Sequence, residues 1–169
     1  MNAYFACPCN LDAVGFYFHS LEEYSQRTEA CTDSLGGRVE EFEIQFIDGG
    51  AVDAELFGAL DVSQASLSLW FDCVEVLSAE AKAAAFYLVS QCGQTVQDLL
   101  GNLEEVVLRE GDMIDAAAEL FDEFYPELPQ VARIYIDMEA YARDLRLNGA
   151  LDEFEVAGKT YTVLNSNEL

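Results

Sequence analysis

Carboxylates are what this chain supplies in excess, with 32 Asp and Glu against 8 Lys and Arg and a formal net charge of −24. Side chains of this type do three kinds of work. In pairs they act as general acid and base, in alternating loops they chelate hard cations, and in large numbers on one surface they imitate a polyanion. The first is uninformative here, because among so many acids a pair can be picked anywhere. The second needs oxygen ligands at alternate positions before a closing Glu, and Asp48-Gly-Gly50 is not such a loop. Other reactive types are sparse. His19 is the one histidine, so any Ser or Cys nucleophile would have to meet it. The cysteines are Cys7, Cys9, Cys31, Cys73 and Cys92. Cys7, Cys9, His19 and Cys31 carry zinc-ligating atoms, but Cys-x-Cys is not the Cys-x2-Cys knuckle, and Cys7 ends a predicted strand where a small buried thiol is ordinary. There is no Gly-rich phosphate loop, no His-Glu-x-x-His and no Gly-x-Ser-x-Gly. No catalysis, cofactor or metal is expected.

The third kind of work fits the distribution. From Val39 to Ala81 there is no Lys or Arg, while Glu40, Glu41, Glu43, Asp48, Asp53, Glu55, Asp61, Asp72, Glu75 and Glu80 fall in that stretch. A second base-free run, Glu110 to Ala132, holds Asp112, Asp115, Glu119, Asp122 and Glu123. These acids are the candidate partner-binding residues. They are dispersed through predicted helices and strands, so they are expected on the solvated faces opposite the apolar ones. A solubility surface needs a net charge of magnitude roughly 2–8, and a larger excess works against compactness by self-repulsion. Electrostatic binding to nucleic acid or to an anionic membrane is excluded, and a strongly cationic partner is expected. Duplex DNA carries one charge per about 1.7 Å of axis, so the net charge matches roughly 12 base pairs, or about 40 Å. Three small units in series can reach that length, and a homodimer doubles it.

The elements that must hold these acids are legible from pattern. Hydrophobic residues make up 51% of the chain, with 11 Phe, 8 Tyr and 1 Trp, which excludes intrinsic disorder. Residues 3–7 and 14–18 are aromatic runs parted by Pro8 and Asn10, a strand pair. Ser20-Leu-Glu-Glu23 is a capping box that predicts a helix from Leu21 to about Leu35, stopped by Gly36-Gly37. Glu41 to Phe46 alternates strictly, with Phe42, Ile44 and Phe46 inward. Helices are predicted over Ser63–Leu77, Ala79–Gln91 and from Thr95, with a strand at Glu105–Leu108. Asp112 caps a helix to Phe124 before Pro126 and Pro129, and Asp137 starts another that ends at Asn148-Gly149. Phe154–Val156 and Thr160–Leu164 flank a closing turn. The fold class is α+β, arranged as three small domains in an elongated series: 1–60 α+β, 61–104 helical and 105–169 α+β. Met1–Cys9 lacks the basic and apolar regions of a signal peptide, and no apolar stretch reaches the length of a membrane span, so a cytoplasmic protein with reduced thiols is expected.

At its C-terminal third the sequence resembles the ArdA antirestriction family. The resemblance rests on Asp122-Glu-Phe-Tyr-Pro-Glu-Leu-Pro129, Tyr135-Ile-Asp-Met-Glu-Ala-Tyr-Ala-Arg-Asp-Leu145 and Asn148-Gly149. Ala3–Cys7 with Gly15–Phe18 is similar to the family's opening strand pair, and Glu40–Ile44 with Asp48 resembles its acidic strand. Met138 stands where the family carries a second aromatic, and residues Ala116 to Tyr125 match its antirestriction motif only loosely. The resemblance implies a protein of mobile genetic elements acting in a bacterial host. Such a protein is a homodimer joined through its C-terminal part. It mimics duplex DNA and occupies the groove of type I restriction-modification enzymes. The charge pattern alone leaves a second target class open, another DNA-binding defence nuclease or a nucleoid protein. Arg133, Arg143 and Arg146 are read as internal salt-bridge partners.

Overall fold

A computed structural model describes residues 1–169, which form a mixed helix-and-sheet fold. The chain divides into two compact units, Met1–Lys82 and Ala83–Leu169. Each is built on a three-stranded antiparallel sheet.

In the first unit β1 (Ala3–Pro8) is the central strand, flanked by β2 (Phe16–Phe18) and β3 (Phe42–Asp48). Its register places Tyr4 opposite both Phe18 and Phe46. The three rings form one row across the sheet, with centroids 5.4 Å apart on either side of Tyr4. Aromatic cross-strand neighbours of this kind are what hold a small sheet in register. The strict alternation of β3 is realised, with Phe42 and Ile44 buried and Glu43 and Gln45 exposed. α1 (Leu21–Ala30) starts at Ser20, whose hydroxyl accepts from Glu23 N, while the Glu23 carboxylate accepts from His19 N at 2.7 Å. It stops at Ala30, short of Leu35. The reason is Asp33, whose carboxylate accepts from Leu35 N and Gly37 N and builds a tight loop closed by the Thr32–Arg38 bridge.

A helix that pattern reading did not anticipate, α2 (Ala51–Ala59), follows β3 through Gly49 and Gly50. Its N-cap Gly50 makes no side-chain cap, and its apolar residues lie all round, so neither a capping signal nor a helical period marked it. Beyond it, the single helix predicted over Ser63–Leu77 is a short α3 (Leu67–Leu69) that widens into a π-helix at Trp70–Val74. The π turn is closed by Glu75 N donating to Trp70 O at 2.8 Å. Trp70 is thereby buried, its indole N–H donating to the Tyr4 hydroxyl at 2.7 Å. The Tyr4 hydroxyl in turn donates to Glu75 at 2.8 Å. α4 (Ala79–Ser90) starts under the Ser78 hydroxyl, and the division between the units falls within it.

The second unit continues with α5 (Val96–Asn102), capped by Thr95, and β4 (Leu108–Glu110). The strand lies past the predicted Glu105–Leu108, because Leu103–Glu105 forms a 3-10 turn and pairing of Leu108 with Val163 sets the register. α6 (Met113–Phe124) and α8 (Met138–Leu147) begin at Asp112 and Asp137, as their capping residues predict, with α7 (Gln130–Arg133) between them. Small Ala117 and Ala142 let α6 and α8 approach, closed over by Leu151, Met113, Leu120, Tyr141 and Leu145. β5 (Asp152–Val156) and β6 (Lys159–Val163) form the predicted hairpin. Its two-residue turn holds Ala157 and Gly158 at φ of 54° and 71°, a conformation that Gly158 adopts without strain.

Burial raises the phenol of Tyr24 to about 12. Tyr4 and Tyr87 are shifted further in the same direction, chiefly by burial, with Glu75 and Asp152 adding to it. Tyrosines whose folded pKa lies above the ordinary value of 10.0 contribute stability in full below pH 10 and lose it as pH rises through their folded values. Absorbance at 295 nm is expected to report late ionisation of these rings, coincident with loss of the native circular dichroism. The tyrosines also differ in bonding. Tyr4→Phe leaves the buried Trp70 N–H without its acceptor and removes one of the two donors to Glu75, and is expected to cost about 2 kcal/mol in denaturant unfolding. The buried Tyr24 hydroxyl has no hydrogen-bond partner, so Tyr24→Phe is expected to be neutral or stabilising by up to about 1 kcal/mol.

Candidate partner-binding surface

The first unit carries fifteen acidic and three basic side chains and the second seventeen and five, so each has a formal charge of −12. The bases are largely spent on internal pairs. Lys82 meets Asp53, Arg109 meets Glu119, Arg133 meets Asp122, Arg146 meets Asp152 and Lys159 meets Glu110. The Lys159–Glu110 contact, at 2.9 Å, raises the Lys159 ammonium above its ordinary value by stabilising the charged form. Of the three arginines read as internal partners, Arg133 and Arg146 make such pairs, and Arg143 lies exposed on α8.

α6 holds the most regular set of carboxylates. Ala116, Ala117 and Phe121 are buried, while Asp112, Asp115, Glu119, Asp122 and Glu123 are all exposed. At about 1.5 Å rise per residue the five acids stand roughly 4.5, 6, 4.5 and 1.5 Å apart along the helix axis, a mean of about 4 Å, against about 3.4 Å per phosphate along one strand of DNA. Three of them have local duties. Asp112 accepts from Asp115 N as the N-cap, Glu119 accepts from Arg109 at 2.6 Å, and Asp122 pairs with Arg133.

In the first unit Glu40, Glu41, Glu43, Asp48, Glu55, Asp61, Asp72 and Glu80 are exposed. Glu41 and Glu43 stand two residues apart on one side of the chain, at about 6.8 Å in extended backbone. The segment entering β3 is braced by Gln64, whose amide donates to Glu40 O at 2.9 Å and accepts from Phe42 N at 3.0 Å. That side chain fills the place of a neighbouring strand residue and fixes the backbone under Glu40 and Glu41.

Two candidates do not belong to an outward surface. Asp53 is 8% exposed and bonds Lys82 at 2.6 Å. Its carboxylate folds back over the start of α2, so near that a Cβ on Gly50 would lie 2.3 Å from Asp53 Oδ2. Glu75 is half-buried and accepts from Tyr4 at 2.8 Å and Asn2 at 2.9 Å. Both are structural acids, which spacing could not reveal because their partners are distant in sequence. Conversely Glu104, Glu105, Glu139 and Asp144 are exposed carboxylates that the search for base-free runs passed over, because arginines stand near them in the chain.

His19 Nδ1–H donates to Asn2 O at 2.9 Å, so the imidazole is held by a main-chain carbonyl and not by a Ser or Cys nucleophile. The Cys92 thiol is raised by burial and then by Asp152, which disfavours the reactive thiolate. All five cysteines are unpaired, and no group of three or more His, Cys, Asp or Glu is arranged to hold a metal ion. No helix is long and apolar enough to cross a membrane.

The family model described as antirestriction protein (ArdA) matches residues 11–159. No curated protein and no solved structure matches the chain.

The Asp53–Lys82 pair makes a sharp prediction. Both side chains are close to nine-tenths buried, so removing one charge strands the other in a poorly solvated place. Asp53→Asn and Lys82→Met are each expected to cost about 3 kcal/mol in denaturant unfolding, and the double variant is expected to recover most of that loss. Losses that simply add would remove the pair from the list of structural interactions.

Proposed function

Because this chain belongs to the ArdA family of antirestriction proteins, we propose that it inhibits type I restriction-modification enzymes stoichiometrically, by filling their DNA groove with carboxylates. The observation that carries the reading is the row of five exposed acids along α6 and its N-cap, whose mean axial spacing is close to that of the phosphates of one DNA strand. The acid-coated first unit, with Glu40, Glu41, Glu43, Asp48, Glu55, Asp61, Asp72 and Glu80 outward, supports it.

The mechanism requires no bond making. A free Lys/Arg-lined groove gathers anions from the solvent. The inhibitor brings carboxylates already fixed on helices and strands, so few side chains must be ordered on binding. Opposite charges steer the encounter, and ion release favours the complex at low salt. Energy spread over many exposed charges gives no single residue a dominant share. Self-association through the C-terminal part belongs to the same proposal. Its support is the exposed apolar set Phe124, Tyr125, Val131, Ile134, Tyr135 and Leu147 in the second unit. The cell compartment follows from the target, which meets invading DNA in the bacterial cytoplasm.

The test is competition between this protein and fluorescent duplex DNA for a purified type I restriction-modification complex. Displacement that weakens as salt rises is expected, whereas DNA that stays bound at large excess would contradict the proposal. Reversal of any one exposed acid to Lys is expected to change the affinity less than about 5-fold, since exposed pairs contribute under about 1 kcal/mol. Joint reversal of Glu41, Glu43, Asp115, Glu119 and Glu123 is expected to abolish displacement with the circular dichroism preserved. Salt acts oppositely on the isolated protein: screening relieves the repulsion within each unit, so the melting temperature is expected to rise as the affinity falls.

A further inference from the structure

The first unit presents apolar side chains that its own packing does not use, at the tips of two adjoining loops. Leu11 is 99% exposed and Val14 85% in the loop after β1, and Leu35 is 93% exposed in the loop after α1. These loops are held together. Asn10 Nδ2 donates to Asp33 Oδ2 at 3.4 Å, and the Cys31 thiol donates to Val14 O at 3.8 Å. Each is also fixed internally. Asn10 Oδ1 accepts from Asp12 N at 3.0 Å, and Asp33 Oδ1 accepts from Leu35 N at 3.0 Å and from Gly37 N at 2.7 Å. At their base lies a cleft of about 320 Å³, lined by Cys9 and Asn10 of the one loop and by Arg38, Glu40 and Glu41 beyond the other.

From this juxtaposition we propose that Leu11, Val14 and Leu35 form an aliphatic anchor that inserts into an apolar recess, rimmed by basic side chains, on the protein whose DNA groove the carboxylates occupy. The charge around the tips selects that occupant. Asp12 and Asp33 stand in the loops and Glu40 and Glu41 in the cleft at their base, four acids against the one base Arg38, so two copies meeting tip to tip would bring like charges together, whereas a basic rim meets them favourably. An anionic bilayer is disfavoured for the same reason. The loops are already shaped by their hydrogen bonds, so little ordering opposes insertion. The anchor also supplies what a carboxylate row lacks. Acids that copy phosphates offer any DNA-binding protein the same contact, but leucine tips are absent from DNA and let one protein be told from another.

The proposal rests on the functional reading above, and salt separates the two. Carboxylate contacts release ions and set the slope of log affinity against log salt; burial of leucine leaves that slope unchanged. In the competition assay, run over a series of salt concentrations, the variant Leu11→Ser/Leu35→Ser is expected to lose at least about 10-fold in affinity at every salt, with the wild-type slope. The conservative Leu11→Met/Leu35→Met is expected to retain most of the affinity, and both variants to keep the wild-type melting temperature, since neither leucine is packed. Three results would overturn the anchor: serine variants that compete like wild type, a serine variant with an altered slope, and a serine variant whose sedimentation reveals that a contact between copies was lost. Wild type that fails to displace DNA at any salt would overturn function and anchor together.

Discussion

Each unit of this protein folds with a formal charge of −12, and mutual repulsion among those carboxylates acts against every contact that holds it together. The structure meets that constraint in two ways. Acids that have no structural task are kept on exposed faces, where water weakens the repulsion. The interior is made from large aromatic surfaces whose burial does not depend on charge. The ring of Tyr4 touches Phe18, Phe46, Phe57 and Phe71, with centroids between 5.2 and 5.6 Å. Its hydroxyl joins that cluster to Trp70 and Glu75. Sheet register, the π turn and the start of the chain thus converge on one residue.

The same constraint explains where the few bases went. A lysine or arginine beside the acids offsets part of that repulsion. Five of the eight sit beside acids on the same unit, Arg146 and Lys159 at the surface and Lys82 buried with Asp53. Such a buried pair adds little net stability over an apolar equivalent, but it fixes which helix meets which. Here it ties α2 to the start of α4.

The proposed inhibition by carboxylate display makes modest demands on chemistry and strict ones on geometry, since it activates no side chain. In this structure the histidine is held by a carbonyl and the Cys92 thiol is raised. That proposal asks that acids be held in place, and α6 holds its own through buried alanine and phenylalanine behind an acidic face. Apolar loop tips at the other unit add a contact of a different physical kind, insensitive to salt.

Sequence by itself determined the charge, the fold class and most element starts. Ser20, Thr95, Asp112 and Asp137 each cap the helix that follows, and Phe42 and Ile44 alternate inward as their spacing requires, because capping and alternation depend on neighbours in the chain. The resemblance to the antirestriction family was likewise carried by contiguous residues, and the family match bears it out. Only the tertiary structure decided where α1 stops, that α2 exists, and which acids are structural. Asp53 and Glu75 look in the sequence like any other member of the acidic run; Lys82, Tyr4 and Asn2 reach them only through space. Whether an acid faces a partner or supports the fold is set by burial and by such distant partners, and neither is written in the spacing of the acids themselves.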